Sequence, residues 1–538
     1  MPLKSIEWCL TSNNISGKDL YLVALATRQL PIIDISDSET VRGWPARILS
    51  GTSRLEASLP RAWGYGLWSL YASTIGMSNA HDRVRLLSKF LHIDEKKIVL
   101  VDHHTAHASS ALFSSSFRDD VAVITLDGGG DSLSGTVSAM EDGKLRRVSS
   151  ARYYDSIGMF YLGCTQFLGM KPNEHEYKVM GLAPYAFPDD VRKVYDKMEN
   201  LFRVRNLRIS SSINARYSIN WIRRHLQPDR FDWISGAVQK LTENLLVDLA
   251  ESVLQELHVR RLALAGGVFM NVKANMIISM IPELRDLFVM PSCGDESLPI
   301  GAAQYVYYSS YLNSSNSAEI PPLADLYLGP DFDLHSENIR RLASGSNVEI
   351  ADSSDVEGAV AELLAAGEIV ARFGGRSEWG ARALGNRSIL ARADHSNVVS
   401  ILNKSIKMRD FWMPFAPVIL DTFDKRYVSN PKGISAPYMI IAFPSTTDGK
   451  RDLIAAMHPA DGTLRPQVVQ EKWNEPYYSV ISRFERLSGL GGMLNTSFNL
   501  HGEPIVCSPE DAMNTFLRSG LKYMAIGDTL LKKIDTVR

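Results

Sequence analysis

Residues 97–113 read KIVLVDHHTAHASSALF, and this stretch decides the fold class. Lys97–Val101 has the length and apolar run of a strand, and His103–Phe113 follows it at once as a helix. The same pattern recurs outward from it. Val121–Leu126 (VAVITL) is a strand ending in Asp-Gly-Gly-Gly. Leu262–Ala265 (LALA) ends in Gly-Gly and runs into a helix, and Leu287–Met290 (LFVM) ends in a Cys-Gly-Asp loop. Strands alternating with helices predict an α/β sheet with parallel segments. The polar residues stand at the carboxyl ends of the strands, where such sheets hold their ligands.

Further along, NSSNSAEIPP (313–322) is polar and ends in paired prolines, and LYLGPDFD (326–333) adds a Gly-Pro. This is linker chemistry. A second α/β pattern then begins, with a helix at Val356–Ala366, a strand at Glu368–Phe373 and a Gly-rich turn. Two domains are expected, at 1–325 and 340–538. No internal repeat is seen, and no low-complexity tract longer than NSSNS.

The 538 residues are enough for two to four domains at roughly 150 residues each. Hydrophobic residues make up 45% and charged residues 22%, an ordinary globular balance. Lys plus Arg number 58 and Asp plus Glu 60, so the formal net charge is −2. A near-neutral chain exerts no global pull on nucleic acid, and no nucleic-acid partner is expected. The four cysteines, Cys9, Cys164, Cys293 and Cys507, are widely spaced without a C-x-x-C, which fits reduced thiols. The N-terminus has no apolar h-region, and no apolar run approaches the ~18 residues of a membrane helix. A cytoplasmic protein without a membrane partner is expected.

His103 and His107 are four apart on the expected helix, which puts both imidazoles on one face, as a first-row metal requires. His104 points elsewhere. Helical histidines are often only surface or capping residues. Asp127 and Asp295, each just past a strand, shift the balance toward a divalent ion, iron or zinc, in a surface cleft with positions open to substrate oxygens. Gly128 and Gly129 after one strand, and Gly266 and Gly267 after another, let backbone approach a phosphate closely. Asn271 and Asn275 on the following helix are candidates for ribose or adenine. The alternative is a tight turn whose glycines serve geometry alone. Two such loops in one domain match the phosphate clamps of an actin-like ATPase core.

The second half carries Arg376, Arg382, Arg387 and Arg392 among small residues, then Lys407 and Arg409. MHPADGTLR follows with His458, Asp461 and Arg465, and then LNTSFNLHGEPIV (494–506) with Asn495, Thr496 and Ser497. These clusters predict one pocket that binds phosphates and a small carbonyl compound. Any single arginine is more often a surface ion pair. The segment KPNEHEYKVMGLAPY (171–185) has no spacing that points to a chemistry.

Taken together the motifs resemble the NodU/CmcH family of O-carbamoyltransferases that act on natural products. The resemblance covers nearly the whole chain. It rests on DHHTAHASSA (102–111), LDGGGD (126–131), KVMGLAPY (178–185), GGVFMNVKAN (266–275) and GDESLPIGAA (294–303). It continues through EWGARALGNRSIL (378–390), KMRDFWMPFAP (407–417), HPADGTLRPQ (458–467) and NTSFNLHGEP (495–504).

The resemblance implies an actin-like (ribonuclease-H-like, ASKHA) first domain and a YrdC-like α/β second domain. It implies that carbamoyl phosphate loses phosphate and that the carbamate attacks the α-phosphorus of ATP, supplied with Mg2+. The carbamoyl adenylate so formed passes its carbamoyl group to a hydroxyl of a small molecule. His103, His107, Asp127 and Asp295 match the iron-ligand positions, and Arg382, Lys407, Arg465 and Ser497 the carbamoyl-phosphate and adenylation pocket. The family's GPRALG motif is Gly380-Ala381-Arg382 here, and Met413 replaces an arginine of many members. Members usually begin with a hairpin carrying Gly-His-Asp-x-Ser, whose His is the expected acceptor base, whereas this sequence starts at the following helix. A tRNA threonylcarbamoyl-transferase-like enzyme and a non-catalytic nucleotide-binding subunit are the competing readings.

Overall fold

Short apolar runs bounded by polar turns become strands in both halves of the chain. The structure, a computed structural model, describes residues 3–27, 77–311, 320–352 and 355–534. The chain divides into two units. The first comprises Met1–Glu176, Asp189–Met270 and Ile281–Pro322. The second comprises Leu323–Arg538 together with two segments from earlier in the sequence, Tyr177–Pro188 and Asn271–Met280.

In the first unit β1 (Val23–Ala26) and β2 (Ile98–Val101) pair in parallel. A five-stranded mixed sheet is built from β3 (Val121–Gly130), β4 (Leu133–Glu141), β5 (Lys144–Arg152), β6 (Arg261–Ala265) and β7 (Asp286–Val289), in the order β5-β4-β3-β6-β7. β3, β4 and β5 form an antiparallel meander, while β6 and β7 join β3 in parallel. The expected strands at 121–126, 262–265 and 287–290 are present within a few residues. β3 runs on through its glycines to Gly130, with a register shift between Leu126 and Gly130 that opens the strand at Asp127.

The histidine helix, His103–Ser114, begins where Asp102 caps it by accepting from the Thr105 N–H at 2.9 Å. Its small-residue face lies on the helix Leu298–Tyr311, in a cluster formed by Val101, Ala106, Leu298, Ala302 and Val306. Gly301 is what permits this approach: a Cβ there would stand 1.8 Å from the Ala106 carbonyl oxygen. The helix–helix contact therefore fixes where the histidines lie against the loop that precedes Leu298.

The second unit holds an eight-stranded sheet. Its strands are β8 (Val348–Asp352), β9 (Val370–Phe373), β10 (Arg387–Ala391), β11 (Ala416–Leu420), β12 (Gln467–Val469), β13 (Gly492–Ser497), β14 (Tyr523–Ile526) and β15 (Thr529–Lys533). Their order is β8-β15-β14-β9-β10-β13-β11-β12. The helices Val356–Ala365 and Glu475–Ser488 cover it through Val360, Leu364, Val480, Ile481 and Phe484. Burying each such side chain contributes about 1.5–3 kcal/mol.

Of the stretch read as a linker, residues 312–319 lie outside the described residues. The part from Leu326 onward is not free: its backbone bonds to Ser377 and Trp379 across 2.7–3.1 Å. Among the described residues, no helix is long and apolar enough to cross a membrane.

Candidate functional site

The histidine helix and the ends of two chain segments bring four ligating groups together in the first unit. His103 Nε2 and His107 Nε2 stand 3.3 and 3.2 Å from Asp127 Oδ2, and 3.7 and 3.6 Å from Asp295 Oδ1. One ligand atom from each of the four residues falls within 4.8 Å of all the others. The far ring nitrogens are engaged as well. His103 Nδ1 lies 3.4 Å from Thr27 Oγ1, and His107 Nδ1 lies 3.1 Å from Ser297 Oγ. Fixing Nδ1 leaves both Nε2 atoms turned to the carboxylates, which is how imidazole ligands are oriented for a metal.

The electrostatics match this arrangement. Burial opposes a charge on His107, but Asp127 and Asp295 outweigh it and raise the ring to about 9. Burial also opposes the Asp127 carboxylate, and both histidines overcome it, holding its pKa well below the usual range. Two nitrogen and two oxygen donors in one small cluster fit a first-row divalent ion. The expectation of a surface cleft needs correction for the histidines. Both are buried, because the helix that carries them is packed on two sides, and only Asp295 is open, with 72% of its side chain exposed. His104 does point elsewhere, with Nδ1 2.9 Å from Thr125 Oγ1. Burial, helped by His103 and His107, drives its pKa down to about 3.

Both glycine loops read as phosphate clamps lie beside Asp127. Gly128 N–H donates to Asp127 Oδ1 at 2.6 Å. Gly266 has φ +99, and a Cβ on it would stand 2.2 Å from the Leu126 carbonyl oxygen, so only glycine fits. A Cβ on Gly267 would lie 3.1 Å from Asp127 Oδ1, and one on Gly129 would strike the Tyr153 ring. Asn271 and Asn275 belong to the second unit. Asn271 caps the helix Val272–Ser279 by accepting from Ala274 N–H at 3.0 Å, and the buried Asn275 donates to the Ile440 carbonyl at 2.8 Å.

The second unit gathers cations. Burial pushes Arg465 well below its ordinary pKa, and Arg382 and Arg409 beside it push in the same direction. Burial likewise lowers Arg409 to about 10, with Arg382 adding to the effect and Tyr177 opposing it. Lys407, lowered by burial and by Arg409, donates from Nζ to Ser497 Oγ at 3.1 Å, to Asn499 Oδ1 at 2.6 Å and to the Ser497 carbonyl. Arg409 Nη2 donates to Thr496 Oγ1 at 3.1 Å. Asn495 is buried beneath, donating to the Ala383 carbonyl and to Gln467 Oε1.

Of the four arginines read between 376 and 392, Arg382 joins this group. Arg376 donates to the Leu328 and Gly329 carbonyls, and Arg392 pairs with Asp394 at 2.6 Å. Arg387 is buried over the Phe373 ring, its Cζ 3.7 Å from the centroid, and donates to backbone carbonyls. They are held by carbonyls, a neighbouring carboxylate and an aromatic face.

Thr27 and Ser297 escaped the sequence reading. Ser297 could have been found from its place two residues after Asp295 in GDES, but nothing in the sequence near Thr27 points to His103. The links Lys178–Asp410 (3.1 Å) and Lys273–Asp461 (2.5 Å) also escaped it, since each joins positions about two hundred residues apart.

Residues 37–304 match the family model described as carbamoyltransferase N-terminus, and residues 361–533 match carbamoyltransferase C-terminus. Nodulation protein NolO of Bradyrhizobium diazoefficiens is 34% identical over 80% of this chain and 79% of its own length. An uncharacterized protein of Methanocaldococcus jannaschii is 31% identical over 86% of this chain and 89% of its own. Among solved structures, full-length HypF in its phosphate- and nucleotide-bound form aligns over 45% of this chain and 51% of its own at 14% identity, with a TM-score of 0.26. That likeness is too slight to bear on the fold.

Proposed function

Since this chain belongs to the carbamoyltransferase family and is a carbamoyltransferase, we propose that it is an O-carbamoyltransferase working through carbamoyl adenylate. Water hydrolyses carbamoyl phosphate to carbamate and inorganic phosphate, and a carbamate oxygen attacks the α-phosphorus of ATP, supplied with Mg2+. Pyrophosphate leaves. A hydroxyl of a small natural product then takes the carbamoyl group and AMP is released.

The observation that carries this reading is the convergence of Arg382, Arg409 and Arg465 in a half-buried part of the second unit, where Arg382 disfavours the charge of Arg409 and both disfavour that of Arg465. Such a cluster is costly alone and is relieved by an anion of matching size. Arg382 and Arg465 take the phosphate oxygens in this reading. Lys407, supported by Ser497 and Asn499, offsets charge on the leaving group, and Arg409, Asn495 and Thr496 form the nucleotide side of the pocket.

In the first unit His103, His107, Asp127 and Asp295 would hold a divalent metal, with iron favoured. When bound, that ion supplies a Lewis acid for an adenylate oxygen. Glycine at 267 keeps a side chain off the Asp127 carboxylate, and Gly128, Gly129 and Gly266 form the backbone of the two loops beside it, where a phosphate would approach in this reading. We read the first unit as actin-like, which an antiparallel meander continued by two parallel strands supports, and the second as YrdC-like. A cytoplasmic location fits four free thiols.

The test is exchange of labelled pyrophosphate into ATP by the purified protein. Exchange that depends on carbamoyl phosphate, and that Arg465→Ala lowers by at least about a hundredfold, is the expected result. A wild-type rate at background with Mg2+ and Fe2+ supplied would remove the proposal.

A further inference from the structure

The segment KVMGLAPY, which has no chemistry legible in its spacing, is built into the second unit, as is the helix Val272–Ser279. Each makes, near its start, a polar link to a loop that carries one of the pocket's arginines. Lys178 Nζ lies 3.1 Å from Asp410, the residue after Arg409. Lys273 Nζ lies 2.5 Å from Asp461 and 3.3 Å from Thr463 Oγ1, just before Arg465. His458 Nε2, at the start of that same loop, donates to the Gly181 carbonyl at 2.8 Å. A Cβ on Gly181 would stand 3.1 Å from the Trp412 carbonyl oxygen, so the segment lies close against the first loop as well.

These are not ordinary surface pairs. The lysine side chains are 13% and 14% exposed and their partners Asp410 and Asp461 38% and 22%, against 62% and 55% for Lys171 and Glu174, so each pair is shielded on its lysine side. A shielded pair keeps more of its Coulomb attraction than an exposed one. Meanwhile Arg409 and Arg465 repel each other, and the loops that bear them have to be held converged when no anion lies between them. Met408, beside Arg409, sits at φ +44 as the left-handed cap of the turn Asn403–Lys407, its N–H bonded to the Asn403 carbonyl, which fixes where the loop bearing Arg409 begins.

We infer that Lys178 and Lys273 are positioning residues of the cationic pocket, acting through Asp410 and Asp461 to keep Arg409 and Arg465 in place before substrate arrives. The inference rests on the reading that this pocket takes the phosphate of carbamoyl phosphate. It separates cleanly from a simple charge effect. If the lysines worked only by adding positive potential, Lys178→Met and Lys273→Met would weaken anion binding, while Asp410→Asn and Asp461→Asn would strengthen it. If they position, all four substitutions act in the same direction.

The experiment measures carbamoyl-phosphate-dependent pyrophosphate exchange by the full chain and these four variants. The expected result is a KM for carbamoyl phosphate raised about tenfold in all four, with kcat changed by less than about threefold. Lys178→Arg, which keeps the pair, stays within about twofold of wild type. Opposite signs for the lysine and aspartate variants would overturn the inference, as would a wild-type KM in Lys178→Met. If the wild-type protein shows no exchange, the reading of the reaction fails, and calorimetric binding of inorganic phosphate to the same proteins decides the positioning question. Weakening in all four variants sustains it. Unchanged affinity in the lysine variants, or no phosphate binding by the wild type, ends it.

Discussion

At the scale of single residues, Asp127 is the member of the His/Asp cluster with the most to hold. It accepts from both histidine rings at once and also from the Gly128 N–H. Asp127→Asn keeps the shape and removes the charge. Metal content measured by inductively coupled plasma mass spectrometry is expected to fall at least about tenfold after loading with Fe2+ and desalting, since loss of one anionic ligand weakens a four-donor site strongly. Retention of one ion per chain in the variant would refute the ligand assignment. That these four residues come together was legible because their spacing is local or sits at strand ends: His103 and His107 share a helix face, and the two aspartates follow apolar runs. Thr27 was not legible, because its 3.4 Å approach to His103 is set by the pairing of β1 with β2, which no local pattern reveals.

At the scale of elements, the loop His458–Arg465 links acidity to stability. His458 is buried, its Nε2–H goes to the Gly181 carbonyl, and its Nδ1 accepts from the Ala460 N–H at 3.3 Å, so the folded loop uses the neutral ring. Burial lowers its pKa from the ordinary 6.5, partly offset by Asp461. The sign follows from that. A group whose folded pKa is depressed gives stability that is complete above its unfolded pKa and is lost as acid protonates the folded ring. The midpoint of thermal unfolding is therefore expected to fall between pH 7 and pH 5, and to fall less steeply in His458→Gln. Equal slopes for the two proteins would show that His458 does not set this dependence.

The strands and helices themselves were largely legible, since VAVITL, LALA and EIVARF are apolar runs of strand length. What the runs did not reveal is the extension of β3 through Gly130. Glycines read as a turn when taken alone, but here they continue the pairing with β4 around a register shift.

At the scale of the molecule, a boundary after Pro322 was within reach of composition, whereas the membership of 177–188 and 271–280 in the second unit was not. Those segments look like ordinary parts of an α/β domain, and their partners are far off in sequence: Met180, Val272 and Met276 close over Ala442. A polypeptide of residues 323–538 alone would leave that cluster uncovered and Asp410 and Asp461 without their lysines. It is expected to be poorly soluble or to show fast amide exchange around Ala442, measured by hydrogen–deuterium exchange. A well-protected fragment that binds phosphate as tightly as the full chain would contradict this account.

The junctions after Glu176, Pro188, Met270, Met280 and Pro322 mean that the backbone changes unit five times. For heredity this makes the two units a single transmissible whole. One break in the coding sequence cannot yield two self-sufficient genes, and recombination that exchanges the second half for another allele's separates the two lysines from the aspartates they pair with. Lineages of this enzyme would therefore carry Lys178 with Asp410, and Lys273 with Asp461, as linked traits rather than as separate modules.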